Sequence, residues 1–232
     1  MPDNLGDEEQ VEAPKYGLAE YLPIIRMLSR KTTLHLARLG LTPNHVTTLG
    51  LLAGLAAAGF FTQQGFFWQM AGATLFALAY LFDYCDGELA RLLQLTSKFG
   101  AHYDDFVDGV IHAAFFLALG YGHMAATGEA IWLWLGAAAA LGGTINAILP
   151  LFLGGVPEGE TQVATLSDLE ADAGWIDVLI FAFRGLARAD FWLLVLILSL
   201  FGWTWVLLPA AAIGAQVYWM IYLKKSARRI LT

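Results

Sequence analysis

Four aspartates, Asp83, Asp86, Asp104 and Asp108, recur at helical spacing inside a sequence that is otherwise apolar. The pattern reads Asp83-x-x-Asp86-Gly87-x-x-Ala90-Arg91, then Gly100-x-x-x-Asp104-x-x-x-Asp108. An ionised carboxylate in lipid is costly, so acids retained there mark a functional site and need a neutralising partner. Arg91 and Lys98 are the nearby cations in sequence, too few to balance four negative charges. Divalent metal is the alternative. Four hard oxygen ligands, in a chain with one cysteine (Cys85) and no clear histidine pairing, suit Mg2+ or Mn2+ rather than zinc.

At about 100° per residue, Asp83, Asp86, Gly87 and Ala90 fall within roughly 100° of arc on one helix face, while Glu88 points elsewhere. On the next helix Gly100, Asp104 and Asp108 share a face with Ser97 nearby, and Asp105 is turned aside. The turn at 92–99 is short, so the two helices are antiparallel neighbours whose Asp faces meet at similar depth. Two divalent ions about 4 Å apart would match four carboxylates and clamp a phosphoryl group for in-line displacement. Gly87, Ala90 and Gly100 leave a groove where a flat ligand can approach the backbone, and Arg91 flanks it as a phosphate-binding fork. Metal, groove and guanidinium at a membrane edge point to a substrate that is part nucleotide diphosphate and part lipid.

The elements that hold this cage are set by composition. The 232 residues are 58% hydrophobic and only 14% charged, against roughly 25% charge in a soluble domain. A span takes about 20 apolar residues, and apolar stretches occur at about 44–62, 67–92, 99–122, 130–154, 178–202 and 204–223. The expectation is an all-α polytopic membrane protein with six transmembrane helices over 41–229. An interfacial amphipathic helix at 17–40, carrying Arg26, Arg30, Lys31 and Arg38 toward anionic headgroups, precedes them. Residues 1–16 read as a disordered acidic cytosolic tail, with the wrong chemistry for a cleavable export signal. That tail accounts for much of the net charge of −7, and no nucleic-acid partner is expected. Thr42 reads as the N-cap of the first span, with Pro43 in its first turn. The external loops of a six-span parse, near 62–67, 122–130 and 201–205, contain no Lys or Arg. Both termini and the four Asp residues then lie on the cytosolic side of a bacterial or archaeal-type cell membrane.

The spacing Asp-x2-Asp-Gly-x2-Ala-Arg-x8-Gly-x3-Asp-x3-Asp resembles the signature of the CDP-alcohol phosphotransferase (CDP-alcohol phosphatidyltransferase) family at every signature position. The segment LTPNHVTTLG resembles one found there more loosely. The resemblance implies metal-dependent transfer of a phospho-alcohol unit from a CDP-linked donor to an acceptor hydroxyl in phospholipid biosynthesis, with release of CMP. A phosphatidyl group from CDP-diacylglycerol is the expected one, because Arg184 and Arg188 could bind a small anionic acceptor. The resemblance further implies that Asp83, Asp86 and Asp104 ligate metal. Asp108 would be the general base on the acceptor, close to a metal as well, and Gly87, Ala90, Arg91 and Gly100 would line the CDP site. It also implies a homodimer, with small-residue helix faces as candidate interfaces.

Other readings stand beside these. A CDP-linked small alcohol could be the donor and a lipid the acceptor, and the motif does not separate the two routes. Arg184 and Arg188 could hold an anionic acceptor such as a polyol phosphate, or anchor to headgroups. Gly50-x-x-x-Gly54 and the Ala/Gly stretch at 136–143 read as helix-packing surfaces. The histidines read as packing or interfacial groups, and the acidic loop at 156–177 carries no recognisable site. From another class, a divalent-cation transporter would also place acids in the membrane, but near the midplane and on broken helices.

Overall fold

The computed structural model describes residues 24–153 and 191–230, and every regular element among them is helical. The order is α1 (Ile24–Arg38), α2 (Pro43–Phe61), α3 (Phe66–Leu92), α4 (Lys98–Thr127), α5 (Ile131–Leu153), α6 (Phe191–Phe201), a 3-10 turn (Thr204–Val206) and α7 (Leu207–Ile230). Three segments, Pro43–Phe61, Lys98–Thr127 and Ile131–Leu149, are long and apolar enough to cross a bilayer. The tail 1–16, the loop 156–177, and Arg184 and Arg188 lie outside the described residues, as does the first half of the expected span at 178–202.

Helix ends follow local chemistry. α1 stops at Gly40, whose φ of +72° is cheap only without a Cβ; its N–H donates to Ala37 O and that of Leu41 to Leu36 O. Thr42 is extended at the start of α2, Pro43 follows, and the Thr42 N–H donates to His45 Nδ1 at 3.3 Å. α4 outruns the expected 99–122, because residues 123–127 contain no breaker and the chain turns only at Gly128 (φ +77°), whose N–H donates to Met124 O. The last expected span starts three residues late. The 3-10 turn occupies Thr204–Val206, and the helix then continues through the basic tail to Ile230.

α2 packs between α3 and α4; α4 also packs on α5, α5 on α7, α1 on α3, and α3 on α6. The centre is an aromatic cluster. Phe115 meets Phe61 edge-on at 5.0 Å, Phe76 at 4.8 Å and Phe191 at 5.8 Å. Small residues bring backbones close: a Cβ on Gly54 would overlap the Ile111 side chain, and one on Gly136 would overlap the Phe116 carbonyl oxygen. Gly50 faces Phe82 and Ala79 of α3, and Gly142 faces Ala215 and Gln216 of α7. The glycine faces expected at 50–54 and 136–143 thus pack helices at Gly50, Gly54, Gly136 and Gly142, whereas a Cβ on Gly143 would meet nothing within 4 Å.

Candidate active site

A short turn joins α3 to α4. The spacing predicts that the two helices are direct neighbours, but both pack on α2, and their acidic side chains converge beside it. Gln94 takes the left-handed conformation that ends α3 (φ 55°), with the Leu95 N–H donating to Ala90 O at 2.8 Å. Ser97 caps α4, its Oγ accepting from the Gly100 N–H at 3.0 Å. Asp86 lies six residues before the end of α3 and Asp104 six after the start of α4. At 1.5 Å per residue both sit about 9 Å from the turn, with Asp83 and Asp108 roughly one helical turn deeper. Equal depth follows from equal count.

The outcome is convergence of three of the four acids. Asp83, Asp86 and Asp104 each present a carboxylate oxygen, all within 4.8 Å of one another. Asp108 lines the same recess but is not part of that triad. The recess, about 190 Å³ including its open mouth, is walled by Thr47 and Gly50 of α2, Ala79 of α3, and Val107 and Ile111 of α4. Asp86 is buried, the other three half-buried, and Asp105 exposed. The donor set fits a hard divalent cation. Opposite oxygens on one Mg2+ lie about 4.2 Å apart, so a 4.8 Å spread needs only slight side-chain adjustment. Ions about 4 Å apart could also share such a set.

Around the triad, the Arg91 guanidinium lies over Gly87, Nη1 being 3.6 Å from where a Cβ would sit. Arg91 itself is exposed. Gly100 is hemmed by Ser97 Oγ and, across the helices, Asn44 Oδ1. Beside it the Thr48 and Tyr103 hydroxyls are 2.9 Å apart, and Phe99 stacks on Tyr103. His102 turns Nδ1 to Lys98 O rather than toward the acids.

Two functional-looking contacts escaped the motif. The Thr47 hydroxyl, from the first span, donates to Asp86 Oδ2 at 2.5 Å. Glu88, correctly placed off the Asp face, accepts from Ser29 and Thr33 of α1 at 2.8 and 2.9 Å. The signal for Thr47 was its place one turn after Pro43 in LTPNHVTTLG; for Glu88 there was none, since its partners lie in a segment of unrelated pattern.

A sequence profile described as CDP-alcohol phosphatidyltransferase matches residues 40–154, which contain the whole recess. A phosphatidylinositol phosphate synthase of Streptomyces avermitilis is 40% identical over 82 residues, 35% of this chain and 32% of that protein. An archaetidylinositol phosphate synthase of Pyrococcus horikoshii is 30% identical over 105 residues, 45% of this chain and 54% of that protein. The chain thus spans about a third to a half of the curated relatives it matches. The crystal structure of Mycobacterium tuberculosis phosphatidylinositol phosphate synthase with CDP-DAG bound superposes with a TM-score of 0.53 at 23% identity. That alignment covers 83% of this chain and 91% of that one, a likeness of fold. Profile match, relatives and the complete acidic signature agree: residues 40–154 of the chain match the CDP-alcohol phosphatidyltransferase family.

Proposed function

We propose that this protein transfers a phosphatidyl group from CDP-diacylglycerol to the hydroxyl of a small acceptor, releasing CMP. The observation that carries the reading is the triad of carboxylate oxygens within 4.8 Å, with the Arg91 guanidinium lying over Gly87 on the same helix as Asp83 and Asp86. Asp83, Asp86 and Asp104 hold Mg2+ or Mn2+. Divalent metal held there would supply the positive charge that offsets the pyrophosphate and the CMP leaving group. Gly87, Ala90 and Gly100 let the CDP lie close to the helices, and Arg91 pairs with its phosphates. Asp108, on the wall of the recess but apart from the triad, takes the acceptor proton. The acceptor oxygen bonds to the lipid-bearing phosphorus as the bridge to CMP breaks.

Depth favours transfer chemistry over cation transport. The acids sit on continuous helices near one end, whereas a transport site belongs at the midplane on interrupted helices. Six spans with both termini cytosolic complete the reading, supported by external loops free of Lys and Arg. A homodimer would use faces other than the glycine seams already filled.

The acceptor is proposed to be an inositol phosphate. Two relatives are named for inositol phosphate lipids, and Arg184 and Arg188 supply cations for such an anionic polyol. The test is CMP release by purified protein in liposomes with Mg2+ or Mn2+, CDP-diacylglycerol, and inositol phosphate, glycerol phosphate or serine. A parallel arm supplies CDP-linked small alcohols with diacylglycerol. Release confined to the inositol phosphate arm supports the full reading. Release with another acceptor changes the substrate only. Silence in every arm, with robust metal flux into the liposomes, sinks the transferase reading.

A further inference from the structure

The first span, which contributes none of the signature acids, reaches into the cage through one hydroxyl. Thr47 is buried, lies on α2, and lines the recess with the acids of α3 and α4. Its Oγ1 has one proton and two acceptors, Pro43 O at 3.1 Å and Asp86 Oδ2 at 2.5 Å. The shorter bond to a charged acceptor is the stronger. Asp86 is itself 5% exposed, so water cannot readily replace that donor. A carboxylate rotates about its last torsion with only broad preferences, and a hydrogen bond to one oxygen fixes which way the other faces.

We propose that Thr47 is a positioning residue for the metal site, holding the Asp86 carboxylate in its ligating orientation from a neighbouring helix. This rests on the reading of Asp86 as a metal ligand. Groups that orient metal ligands typically change metal affinity or activity by 10- to 100-fold when removed. The hydroxyl is the active part: valine has the same shape but no donor, and serine keeps the donor without the methyl.

The test is Mn2+ binding to the full-length protein in detergent, read from the loss of the free-ion electron paramagnetic resonance signal. Wild type, Thr47→Val, Thr47→Ser and Asp86→Asn are compared, with thermal unfolding of each as a fold control. Weakening of Mn2+ binding by about 10- to 100-fold in Thr47→Val, with Thr47→Ser near wild type, is the expected result. Wild-type affinity in Thr47→Val while Asp86→Asn loses binding would overturn the inference and leave the metal site standing. Equal weakening in Thr47→Val and Thr47→Ser would also overturn it, since packing and not the donor would be responsible. Unchanged binding in Asp86→Asn would remove the metal reading on which the inference rests. Should Thr47→Val fail to fold, Thr47→Ala against Thr47→Ser makes the same comparison.

Discussion

The Ser29 hydroxyl donates to Glu88 Oε1 at 2.8 Å, bonding the helix that precedes the first span to the helix that carries Asp83 and Asp86. Thr33, one turn along α1, binds the other oxygen of the same carboxylate at 2.9 Å. Ser29 and Thr33 are both buried, and Leu36 continues their stripe into a small apolar cluster with Val46, Cys85 and Leu89. α1 is thereby docked on the side of α3 away from the recess.

Glu88→Ala withdraws the acceptor shared by two buried hydroxyls and is expected to destabilise the protein by about 1–3 kcal/mol. Glu88→Gln, which keeps an acceptor oxygen, should lose less. Thermal unfolding in one detergent, at fixed protein concentration, measures the difference. An unchanged midpoint for Glu88→Ala would show that the two hydrogen bonds contribute nothing net.

The acids should separate by role. Asp83→Asn, Asp86→Asn and Asp104→Asn are expected to weaken Mn2+ binding and CMP release together, since each removes an oxygen from the converging set. Asp108→Asn should lower CMP release by about 10²- to 10⁴-fold, the usual loss with a general base, while leaving most Mn2+ and donor binding intact. Equal loss of binding and turnover in Asp108→Asn would move that residue into the metal cage.

Chelation supplies an independent check. Treatment with EDTA is expected to reduce CMP release to that of a heat-denatured control, and added Mg2+ or Mn2+ should restore it. Activity that survives exhaustive chelation would contradict the metal reading of the triad.

Two glycines seven residues apart on α5 should respond in opposite directions. A Cβ at Gly136 runs into the Phe116 carbonyl oxygen, backbone that cannot swing away, whereas nothing lies within 4 Å of one at Gly143. Gly136→Ala is expected to lower the unfolding temperature by forcing α4 and α5 apart. Gly143→Ala should leave it unchanged or raise it, alanine being favoured over glycine in a helix by about 1 kcal/mol. A fall of equal size in both would mean that the α4–α5 seam is not held by close approach.

What could be read from the sequence was what is local and periodic. Asp83 with Asp86, and Asp104 with Asp108, fall on single helix faces, and the short turn between the helices sets their depth. That they could meet was legible from these two helices alone; that both helices pack on α2 was not. Thr47 was hidden because its bond to Asp86 crosses 39 positions, and a lone threonine in an apolar span ordinarily bonds back to its own helix, as Thr47 also does to Pro43 O. Glu88 could be excluded from the Asp face by phase, but phase does not name a partner 55 to 59 residues away. The glycine seams were legible as seams and illegible as to what fills them, because small residues look alike whether the neighbour is the same chain or another copy. The different standing of Asp108 also lay beyond spacing, since oxygen positions depend on rotamer as well as on helix phase.

Among the described residues, those that line the recess fall between Thr47 and Ile111, on three helices that follow one another directly. α6 and α7 complete the apolar core yet add nothing to that lining. Contacts between sequence neighbours close short loops and form early, and chains acquire structure from the amino terminus as they are synthesised. The acidic recess can therefore assemble on a nascent chain before its last helices are made, leaving those helices to lock a pocket that already exists.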